Sequence, residues 1–373
     1  MRKGWQAAGT TGGAMHLLIL GGSSDHPGGV EAFCERSRLA LLRRSPDWRI
    51  TRLPTNTAYL APRGLRRFAA GLTALRRYRH EKPDCVWLQY VNLPDLAYLV
   101  AAKALGMRVM VTPHLGANWR SQTNRALRAA SEYALSLADR LALISRTQEG
   151  EIALHDRPPR SLIRNFLPAE ILGAAAPDPA ERPAALQLIH SGRLSEGKGS
   201  FLVVEVCAKL RDAGVPFHAR ITGGADRDIY DRLAALIERH GLHGQVEVLG
   251  RVPEEELLGH LRGADVLVHL SSIDSYPLIV LEAMACSTLP VCMELAGARD
   301  QIETYGGHVV GIATPAEETA AWLAAQDIGE LRRRGREAAT RVRIDYDWDA
   351  CAGALEAALR ACVERDGRDM VPA

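Results

Sequence analysis

Two cations in a glycine-rich loop mark the first place in this sequence where chemistry could occur. The segment HSGRLSEGKGS, 190–200, follows a predicted strand and carries Arg193 and Lys198 just before a predicted helix. Cations beside the exposed N–H groups of a helix start attract anions such as phosphate. The residue order is not that of a P-loop, so we predict another kind of anion-binding loop, with a solvated surface turn as the alternative.

Two carboxylates, Asp274 and Glu282, bracket an apolar run that begins at Pro277. We expect a helix to start at Tyr276 or Pro277, because proline suits the first helical turn. Asp274 would then lie in a loop and Glu282 inside the helix, where each can accept hydrogen bonds from a vicinal diol. The alternatives are an N-terminal cap for Asp274 and an exposed helix acid for Glu282. The predicted cap is Ser275, and the backbone donors predicted to face a ligand belong to Tyr276, Leu278 and Ile279.

Glycines and a histidine follow predicted strands in the first half of the chain. Gly28 and Gly29 precede a helical pattern and let a ligand approach the backbone closely. The spacing is not GxGxxG, so a dinucleotide site has little support. His114 follows the strand VMVTP, and a lone histidine is commonly structural. Its place at a strand's carboxyl end, where ligands of parallel sheets bind, is an argument for binding.

Short apolar strands alternate with longer helical patterns along most of the chain. Several runs are continuously apolar, which is typical of strands buried on both faces of a parallel sheet. The alternation predicts an α/β protein with two Rossmann-like, doubly wound parallel-sheet domains that face a central cleft. The predicted strands are HLLIL (16–20), CVWLQY (85–90), VMVTP (109–113), LALIS (141–145), LQLIHSG (186–192), HARITGG (218–224), VEVLG (246–250), VLVHLS (266–271) and PVCM (290–293).

The predicted boundaries divide the chain into five parts. Residues 1–14 lack the apolar segment of a signal peptide and are expected to form a disordered tail. The first domain covers 15–170, and a linker rich in Ala and Pro covers 171–185. The second domain covers 186–344. Residues 345–373 are expected to form a tail and an amphipathic helix that crosses back to the first domain.

Composition and charge narrow the classes of function. The chain has 373 residues, 47% of them hydrophobic, and a formal net charge of +2, so its overall charge does not indicate nucleic-acid binding. The seven cysteines form no CxxC pattern, which predicts reduced thiols of a cytoplasmic protein and no metal site. No apolar run reaches the length of about 18 residues that indicates a membrane-spanning helix.

A basic amphipathic segment at 63–82 departs from this even charge. It carries seven Arg or Lys residues and one acid, while Leu65, Phe68, Leu72 and Leu75 share one helical face. Such a helix can lie on an anionic membrane surface, which predicts a peripheral location on the inner face of the cell membrane. The alternative is a core-packed helix with a solvated basic face.

The order and spacing of several blocks make the chain similar to the retaining glycosyltransferases of family 4, the glycosyl transferases group 1, with the GT-B fold. The blocks in the second half are SGRLSEGKG (191–199), ITGGAD (221–226), LGRVPEEELLGHLRGADVLVHLSS (249–272), DSYPLIVLEAMA (274–285) and LPVCMELAGARDQI (289–302). A looser resemblance in the first half rests on GGVEAF (28–33), KPDCVWLQY (82–90), the His114 segment, ADRLALIS (138–145) and LIRNFLP (162–168).

The resemblance implies roles for residues in a nucleotide-sugar site. Arg193 and Lys198 correspond to cations on the donor diphosphate, and Glu282 to the acid that binds the ribose. Asp274 stands where the family usually has a glutamate that holds donor-sugar hydroxyls. His114 corresponds to a cleft histidine at the donor sugar. Further correspondences are Gly28 and Gly29 with the glycine loop near phosphates and acceptor, and the backbone of Arg251 and Val252 with the segment that reads the base.

The resemblance also implies an activity. It is the transfer of a sugar, with retention and without a metal or other cofactor, from a nucleotide-diphosphate sugar to a glycan or lipid-linked acceptor. Such enzymes assemble bacterial surface polysaccharide, lipopolysaccharide or glycolipid. Two other hypotheses remain: a non-catalytic partner of another transferase, motivated by Asp274 and an altered turn in EAMACSTLPV, and a nucleotide-sugar epimerase of the same fold.

Overall fold

The structure is a computed structural model that describes residues 13–23, 28–57, 65–173, 182–274 and 276–364. Two six-stranded sheets, one from each half of the chain, have parallel neighbours throughout. Helices connect successive strands and cover both faces of each sheet, since parallel strands need long crossover connections, which are usually helical. The predicted fold class is confirmed.

The first sheet is built from strands of the first half. They are β1 (His16–Leu20), β2 (Arg49–Leu53), β3 (Cys85–Tyr90), β4 (Val109–Pro113), β5 (Arg140–Leu143) and β6 (Arg160–Leu162). Their spatial order is β2-β1-β3-β4-β5-β6, so the order reverses beside β1. At such a reversal, crossovers leave in opposite directions and open a crevice at the carboxyl ends of the strands.

The second sheet repeats this plan. Its strands are β7 (Leu186–Ser191), β8 (Phe217–Thr222), β9 (Val246–Gly250), β10 (Val266–His269), β11 (Leu289–Met293) and β12 (His308–Val310). The order β12-β11-β10-β7-β8-β9 reverses between β7 and β10. The loops that leave β7 and β10 therefore flank the crevice of this sheet.

The helices follow the strands in chain order. Those of the first half are α1 (Gly29–Arg44), α2 (Leu65–Glu81), α3 (Asp95–Ala104), α4 (Arg120–Thr123), α5 (Arg125–Leu135), α6 (Gln148–Glu151) and α7 (Ala169–Gly173). Those of the second half are α8 (Ser200–Asp212), α9 (Arg227–Arg239), α10 (Glu254–Gly263), α11 (Leu278–Ala285), α12 (Ala296–Tyr305), α13 (Pro315–Ala324), α14 (Ile328–Asp345) and α15 (Trp348–Val363).

Three strands, β2, β6 and β12, were not among the predicted ones. Each lies at an edge of its sheet. Their sequences, RITRL, RSL and HVV, are short, and two of them are rich in arginine. An edge strand is buried on fewer sides, so it lacks the continuous apolar run by which the central strands were found.

One predicted helix start is wrong by a residue or two, and one helix cap depends on glycine. Gly199 caps α8, with φ of +76°. A Cβ at Gly199 would collide with the Leu270 carbonyl, so this close approach requires glycine there. The helix after Asp274 starts at Leu278, because Pro277 is extended with ψ of 119°. The predicted cap, Ser275, lies outside the described residues.

The C-terminal helix α15 packs on the first domain, as predicted. Asp347 caps it by accepting hydrogen bonds from the backbone N–H groups of Asp349 and Ala350 at 3.0 and 3.1 Å. Glu356 pairs with Arg44 of α1 at 2.9 Å. The predicted limits of the tails and of the 171–185 linker stay predictions, because residues 1–12, 174–181 and 365–373 lie outside the described ranges.

The basic segment forms α2, which packs through one face. Leu75 is fully buried, and Phe68 and Leu72 contact the same core, whereas Leu65, expected on that face, is 54% exposed. Arg66, Arg76 and Arg77 lie on the exposed side. The core-packed alternative thus describes this helix, and its basic face stays available. Within the described ranges, no helix combines the length and apolarity needed to cross a bilayer.

Candidate functional site

The loops that leave β7 and β10 meet at the reversal point of the second sheet. The backbone N–H of Ser272 donates to the Gly197 carbonyl at 2.9 Å. The side chain of Ile273 also packs against Gly197. A Cβ added to Gly197 would lie 3.3 Å from the nearest Ile273 carbon. Because parallel strands end at one edge, these contacts bring two loops that are far apart in sequence into one wall of the crevice.

Asp274 lies in this wall and uses both carboxylate oxygens. Lys198 donates to its Oδ1, and His269 Nε2 lies 2.9 Å from its Oδ2. Burial by itself raises the pKa of the Asp274 carboxyl, but the hydrogen bonds and charges of His269 and Lys198 outweigh it and hold the pKa well below its usual range. Asp274 is therefore an anionic hydrogen-bond acceptor at neutral pH, and it is unsuited to act as a general acid.

His269 was missed by the sequence reasoning. It ends the apolar run VLVH, whose pattern indicates only a buried strand. Its side chain is 4% exposed, and its Nδ1 has no hydrogen-bond partner among the described residues. The contact between His269 and Asp274, five residues later, depends on the conformation of the loop, and no sequence motif predicts it.

His190 supports the same wall from behind. Its Nδ1 lies 2.9 Å from the Val268 carbonyl and its Nε2 3.0 Å from the Ser200 hydroxyl. Burial lowers the pKa of His190 to about 4, so the ring is neutral at neutral pH. Since a carbonyl can only accept, Nδ1 carries the proton and Nε2 accepts from Ser200. Ser200 in turn accepts from the backbone N–H of Ser195, which holds the cationic loop in place.

Arg193 and Arg251 follow β7 and β9, on either side of the loop that follows β8. Backbone hydrogen bonds join both segments to this middle loop, from Leu194 to Gly224 at 3.0 Å and from Gly223 to Gly250 at 2.7 Å. Arg193 and Arg251 are exposed, and Val252 is half-buried. The structure therefore places the predicted phosphate and base segments along one continuous edge of the second sheet.

Glu282 is buried, so the alternative of an exposed helix acid is wrong. Only 7% of it is accessible, and Arg36 of α1 donates to its Oε1 at 2.7 Å. The same guanidinium donates to Glu254 Oε2 at 2.7 Å and to the Phe166 carbonyl at 3.1 Å. Burial raises the pKa of Glu282, and Arg36 offsets part of that rise. Neither Arg36 nor Glu254 was expected here from the sequence.

The start of α11 lies between Asp274 and Glu282. Pro277 precedes the helix without a side-chain hydrogen bond that caps it. The first N–H groups of a helix have no intrahelical partner, which applies to the predicted donors Leu278 and Ile279. Tyr276, the third predicted donor, packs against the start of the C-terminal crossover, with its hydroxyl 2.8 Å from that of Tyr346.

On the first sheet, the predicted residues lie at the carboxyl ends of β1 and β4. Gly28 precedes α1 in an extended conformation, with φ of −151°, and both it and Gly29 are exposed. The neighbouring loop is held by Glu31, whose Oε1 accepts from the Ser23 N–H at 2.5 Å. This backbone-lined surface carries no cation of its own among these residues.

His114 pairs with Gln89, a residue that the sequence reasoning did not select. His114 Nε2 lies 2.8 Å from Gln89 Oε1, and the ring meets Phe33 edge-on with centroids 5.0 Å apart. Burial lowers the pKa of His114 to about 4, so it is neutral at neutral pH. Gln89 is fully buried, and its amide nitrogen has no partner among the described residues. Gln89 lies in the buried strand CVWLQY, and a single polar residue in an apolar strand does not by itself indicate a functional site.

The two edges contact each other across the cleft. Asn118, four residues after His114, donates from Nδ2 to the Ser272 carbonyl at 2.9 Å. The histidine loop of the first domain thus lies against the Asp274 loop of the second. In the described ranges, no group of three or more His, Cys, Asp or Glu side chains is arranged to hold a metal ion.

Two curated relatives indicate what the chain is similar to. It is 30% identical over 197 residues to WcaL of Escherichia coli, named for colanic acid biosynthesis, covering 50% of this chain and 48% of WcaL. It is 26% identical over 322 residues to the D-inositol 3-phosphate glycosyltransferase of Pseudarthrobacter chlorophenolicus, covering 80% and 75%. The chain spans about half the length of WcaL and of several other curated relatives that it matches.

Solved structures show the same fold at low sequence identity. Sucrose-phosphate synthase from Thermosynechococcus elongatus superposes with a TM-score of 0.73 and 17% identity, over 92% of this chain and 98% of that one. The Anabaena protein HepE, in complex with UDP-glucose, gives 0.71 and 15%, over 92% and 99%. Both superpositions cover more than nine tenths of each chain, so this chain shares its overall fold with these two proteins.

Two family models match the two halves of the chain separately. The model described as a glycosyl transferase 4-like domain covers residues 12–165, and the model described as glycosyl transferases group 1 covers 177–341. Together they contain both sheets and the residues of the cleft. The chain belongs to the group 1 glycosyltransferases.

Proposed function

We propose that this protein is a retaining glycosyltransferase that moves a sugar from a nucleotide-diphosphate sugar to an acceptor hydroxyl without a metal ion. The cluster of Lys198, Asp274 and the start of α11 carries this proposal. It combines a cation, a carboxylate and helix N–H groups at the reversal point of the sheet, where ligands of such sheets bind. A leaving diphosphate and a sugar hydroxyl need these groups.

Lys198, Arg193 and the N-terminus of α11 supply positive potential where charge develops. When the bond between sugar C1 and the diphosphate oxygen breaks, its electron pair moves to that oxygen, and preorganised cations and dipoles stabilise it. The acceptor oxygen forms the new bond on the same face. Its proton passes to the departing phosphate, which is the nearest strong base once the bond has broken. We name no protein general base for this step.

Asp274 and Glu282 hold the donor in this proposal. Asp274 remains ionised and accepts hydrogen bonds from sugar hydroxyls, while Glu282 accepts from the ribose. His114 stays neutral and offers Nδ1 as an acceptor near the sugar, since Nε2 faces Gln89. Arg251 and Val252 contact the base, and Gly28 and Gly29 leave room for phosphates and acceptor.

The names of relatives support the substrate class. WcaL is named for colanic acid biosynthesis, another relative for transfer to D-inositol 3-phosphate, and the HepE structure contains UDP-glucose. We therefore propose a nucleotide-sugar donor and an acceptor in bacterial surface polysaccharide, lipopolysaccharide or glycolipid assembly, at the cytoplasmic face of the membrane.

Nucleotide titration tests the site assignment. Glu282→Ala should weaken binding of the preferred nucleotide by about 1–3 kcal/mol, because a charged acceptor of the ribose is lost. Isothermal titration calorimetry of wild type and Glu282→Ala with a panel of nucleotides measures this difference in binding free energy. If neither wild type nor variant binds any nucleotide, the assignment is wrong.

Product analysis separates the two other hypotheses. Wild type incubated with nucleotide sugars should release nucleotide steadily and leave a free or transferred sugar. If the protein releases no nucleotide from any donor, the result indicates a non-catalytic partner of another transferase. Conversion of the donor sugar with the nucleotide still attached indicates an epimerase.

We also propose that the face formed by α2, α3 and α5 attaches to anionic membrane. All three helices pack on one side of the first sheet through Leu75, Leu99 and Leu135. The exposed guanidinium groups of α2 thus lie beside an apolar groove between α3 and α5, where Val100 is 48% exposed. Basic and apolar groups on one face suit anionic headgroups above acyl chains.

Vesicle binding tests this attachment. Reversing the charge at Arg66, Arg76 and Arg77 should reduce sedimentation with phosphatidylglycerol vesicles, since each basic residue near such a surface contributes roughly 1 kcal/mol. Neutral phosphatidylcholine vesicles are the control. Unchanged binding of the reversed variant excludes α2 as the contact.

A further inference from the structure

Arg36 reaches from the first domain to two carboxylates of the second. It stands two turns inside α1, and its guanidinium uses both terminal nitrogens, Nη1 on Glu282 and Nη2 on Glu254, each at 2.7 Å. Nη1 also donates to the Phe166 carbonyl at 3.1 Å, just before the predicted linker. Three acceptors from three segments therefore fix the plane of one planar cation.

The pair between Arg36 and Glu282 is buried, whereas Glu254 is at the surface. The exposed fractions of the three side chains are 8%, 9% and 54%. Around Glu282, its helix neighbours Leu281 and Ala283 are fully buried. A carboxylate in such surroundings is expensive to keep ionised unless a cation pairs with it. Arg36 is the cation that does so.

Other charged groups near Glu282 do not replace Arg36. Glu254, from α10, is a like charge and opposes ionisation of Glu282. Cys286, the residue that follows α11, stays a thiol, because burial raises its pKa to about 12. Arg343, from α14, donates to the Ala285 carbonyl at 2.8 Å.

We propose that Arg36 is a positioning residue of the nucleotide site: it holds Glu282 as an oriented carboxylate from the opposite domain and so couples ribose binding to domain closure. Its bond goes to Oε1, which leaves Oε2 as the oxygen for a ribose hydroxyl. The inference rests on the proposed function of Glu282. The ribose site would then combine Arg36 of the first domain with Glu282 of the second, so that separated domains would bind nucleotide poorly.

Nucleotide affinity against pH tests this role. Arg36→Met keeps the apolar stem and removes the cation, and should weaken nucleotide binding about tenfold or more at pH 7. The defect should shrink as pH is raised, because burial raises the pKa of Glu282 and the unpaired carboxyl ionises only at higher pH. A merely structural role would weaken binding equally at every pH. Arg36→Lys keeps a charge but loses the fork, and should recover part of the affinity.

Arg38→Met is the matched control. Arg38 lies on the same helix and pairs with Glu35, three residues earlier, at 2.6 Å. It should bind nucleotide like wild type at each pH, and circular dichroism should show that all variants are folded. If Arg36→Met does not fold, Arg36→Lys carries the test and should bind more weakly than wild type at pH 7.

The outcomes are distinct. If wild type binds nucleotide and the Arg36 variants bind it as tightly or more tightly, the inference about Arg36 is wrong, while the proposed function stands. Tighter binding would mean that Arg36 competes with the ligand for Glu282. Wild type that binds no nucleotide contradicts the proposed function, and the inference falls with it.

Discussion

The two carboxyl edges that face each other in this molecule share a topology but differ in electrostatics. The edge of the second sheet is charged, with Lys198 and Asp274 in direct contact and Arg193 and Arg251 nearby. The selected residues at the edge of the first sheet are uncharged, with exposed glycines and a neutral histidine paired with an amide. The same reversal of strand order thus builds a wall with paired and exposed charges in one domain, whereas the selected residues that the structure describes in the other domain are neutral.

This difference suits a donor and an acceptor. A nucleotide diphosphate carries the charge of the reaction and needs cations and N–H groups, whereas a sugar acceptor presents hydroxyls.

The largest effect is expected from Lys198→Ala. In the proposed mechanism Lys198 stabilises the leaving diphosphate and Asp274, so loss of this cation should lower kcat by about a hundredfold to a thousandfold. Steady-state release of nucleotide from the preferred donor measures it. Lys209→Ala is the control, since Lys209 pairs with Glu317 at 2.8 Å on the surface. A wild-type rate in Lys198→Ala would show that the charged wall is not the reaction site.

An intermediate effect is expected from Asp274→Asn on stability against pH. A carboxyl whose folded pKa lies below its unfolded pKa stabilises the protein above the unfolded pKa, and this contribution is lost as pH falls through the folded pKa. Asp274→Asn should therefore unfold at a lower temperature than wild type from pH 5 to 8. The difference should shrink only below about pH 4, near the unfolded pKa of aspartate.

Thermal unfolding at several pH values measures this difference. Asp212→Asn is the control, because Asp212 is an exposed acid whose side chain is 66% accessible. If Asp274→Asn is as stable as wild type across the range, Lys198 and His269 do not stabilise the ionised form.

The smallest effect is expected from the neutral wall. The pKa of His114 is lowered to about 4, so the folded state binds fewer protons than the unfolded state between that value and about 6.5. This contribution to stability is complete above about pH 6.5 and is lost as pH falls toward 4. His114→Gln should therefore lose less stability than wild type on acidification through this window.

Part of the acid sensitivity should remain in that variant, because burial lowers the pKa of His190 to about 4 as well. His218→Gln, at an exposed position on β8, should leave the wild-type profile unchanged. Between pH 7 and 8, His114 stays neutral, so its ionisation should not appear in the rate profile. A rate step in that range that disappears in His114→Gln would contradict the neutral assignment.

Much of the fold and part of the site could be predicted from local signals. Continuous apolar runs mark the central strands because both of their faces are buried. Edge strands such as β2 were missed because they are not. Loops after strands, rich in Gly and carrying Arg193, Lys198 and Asp274, were found because ligands of parallel sheets bind at carboxyl ends. Gln89 and His269 were missed because one polar residue in an apolar strand has no local signature.

The sequence by itself determined which segments become buried strands and which chemical groups stand at their ends, since these depend on periodicity and nearest neighbours. The tertiary structure decided the partners. Arg36 and Glu282 are separated by 246 positions, and only the packing of α1 against the second domain brings them to 2.7 Å. Lys198 and Asp274 meet because the strand order reverses between β7 and β10. The charge state of a buried group depends on such partners, so it follows from the fold and cannot be read from local sequence.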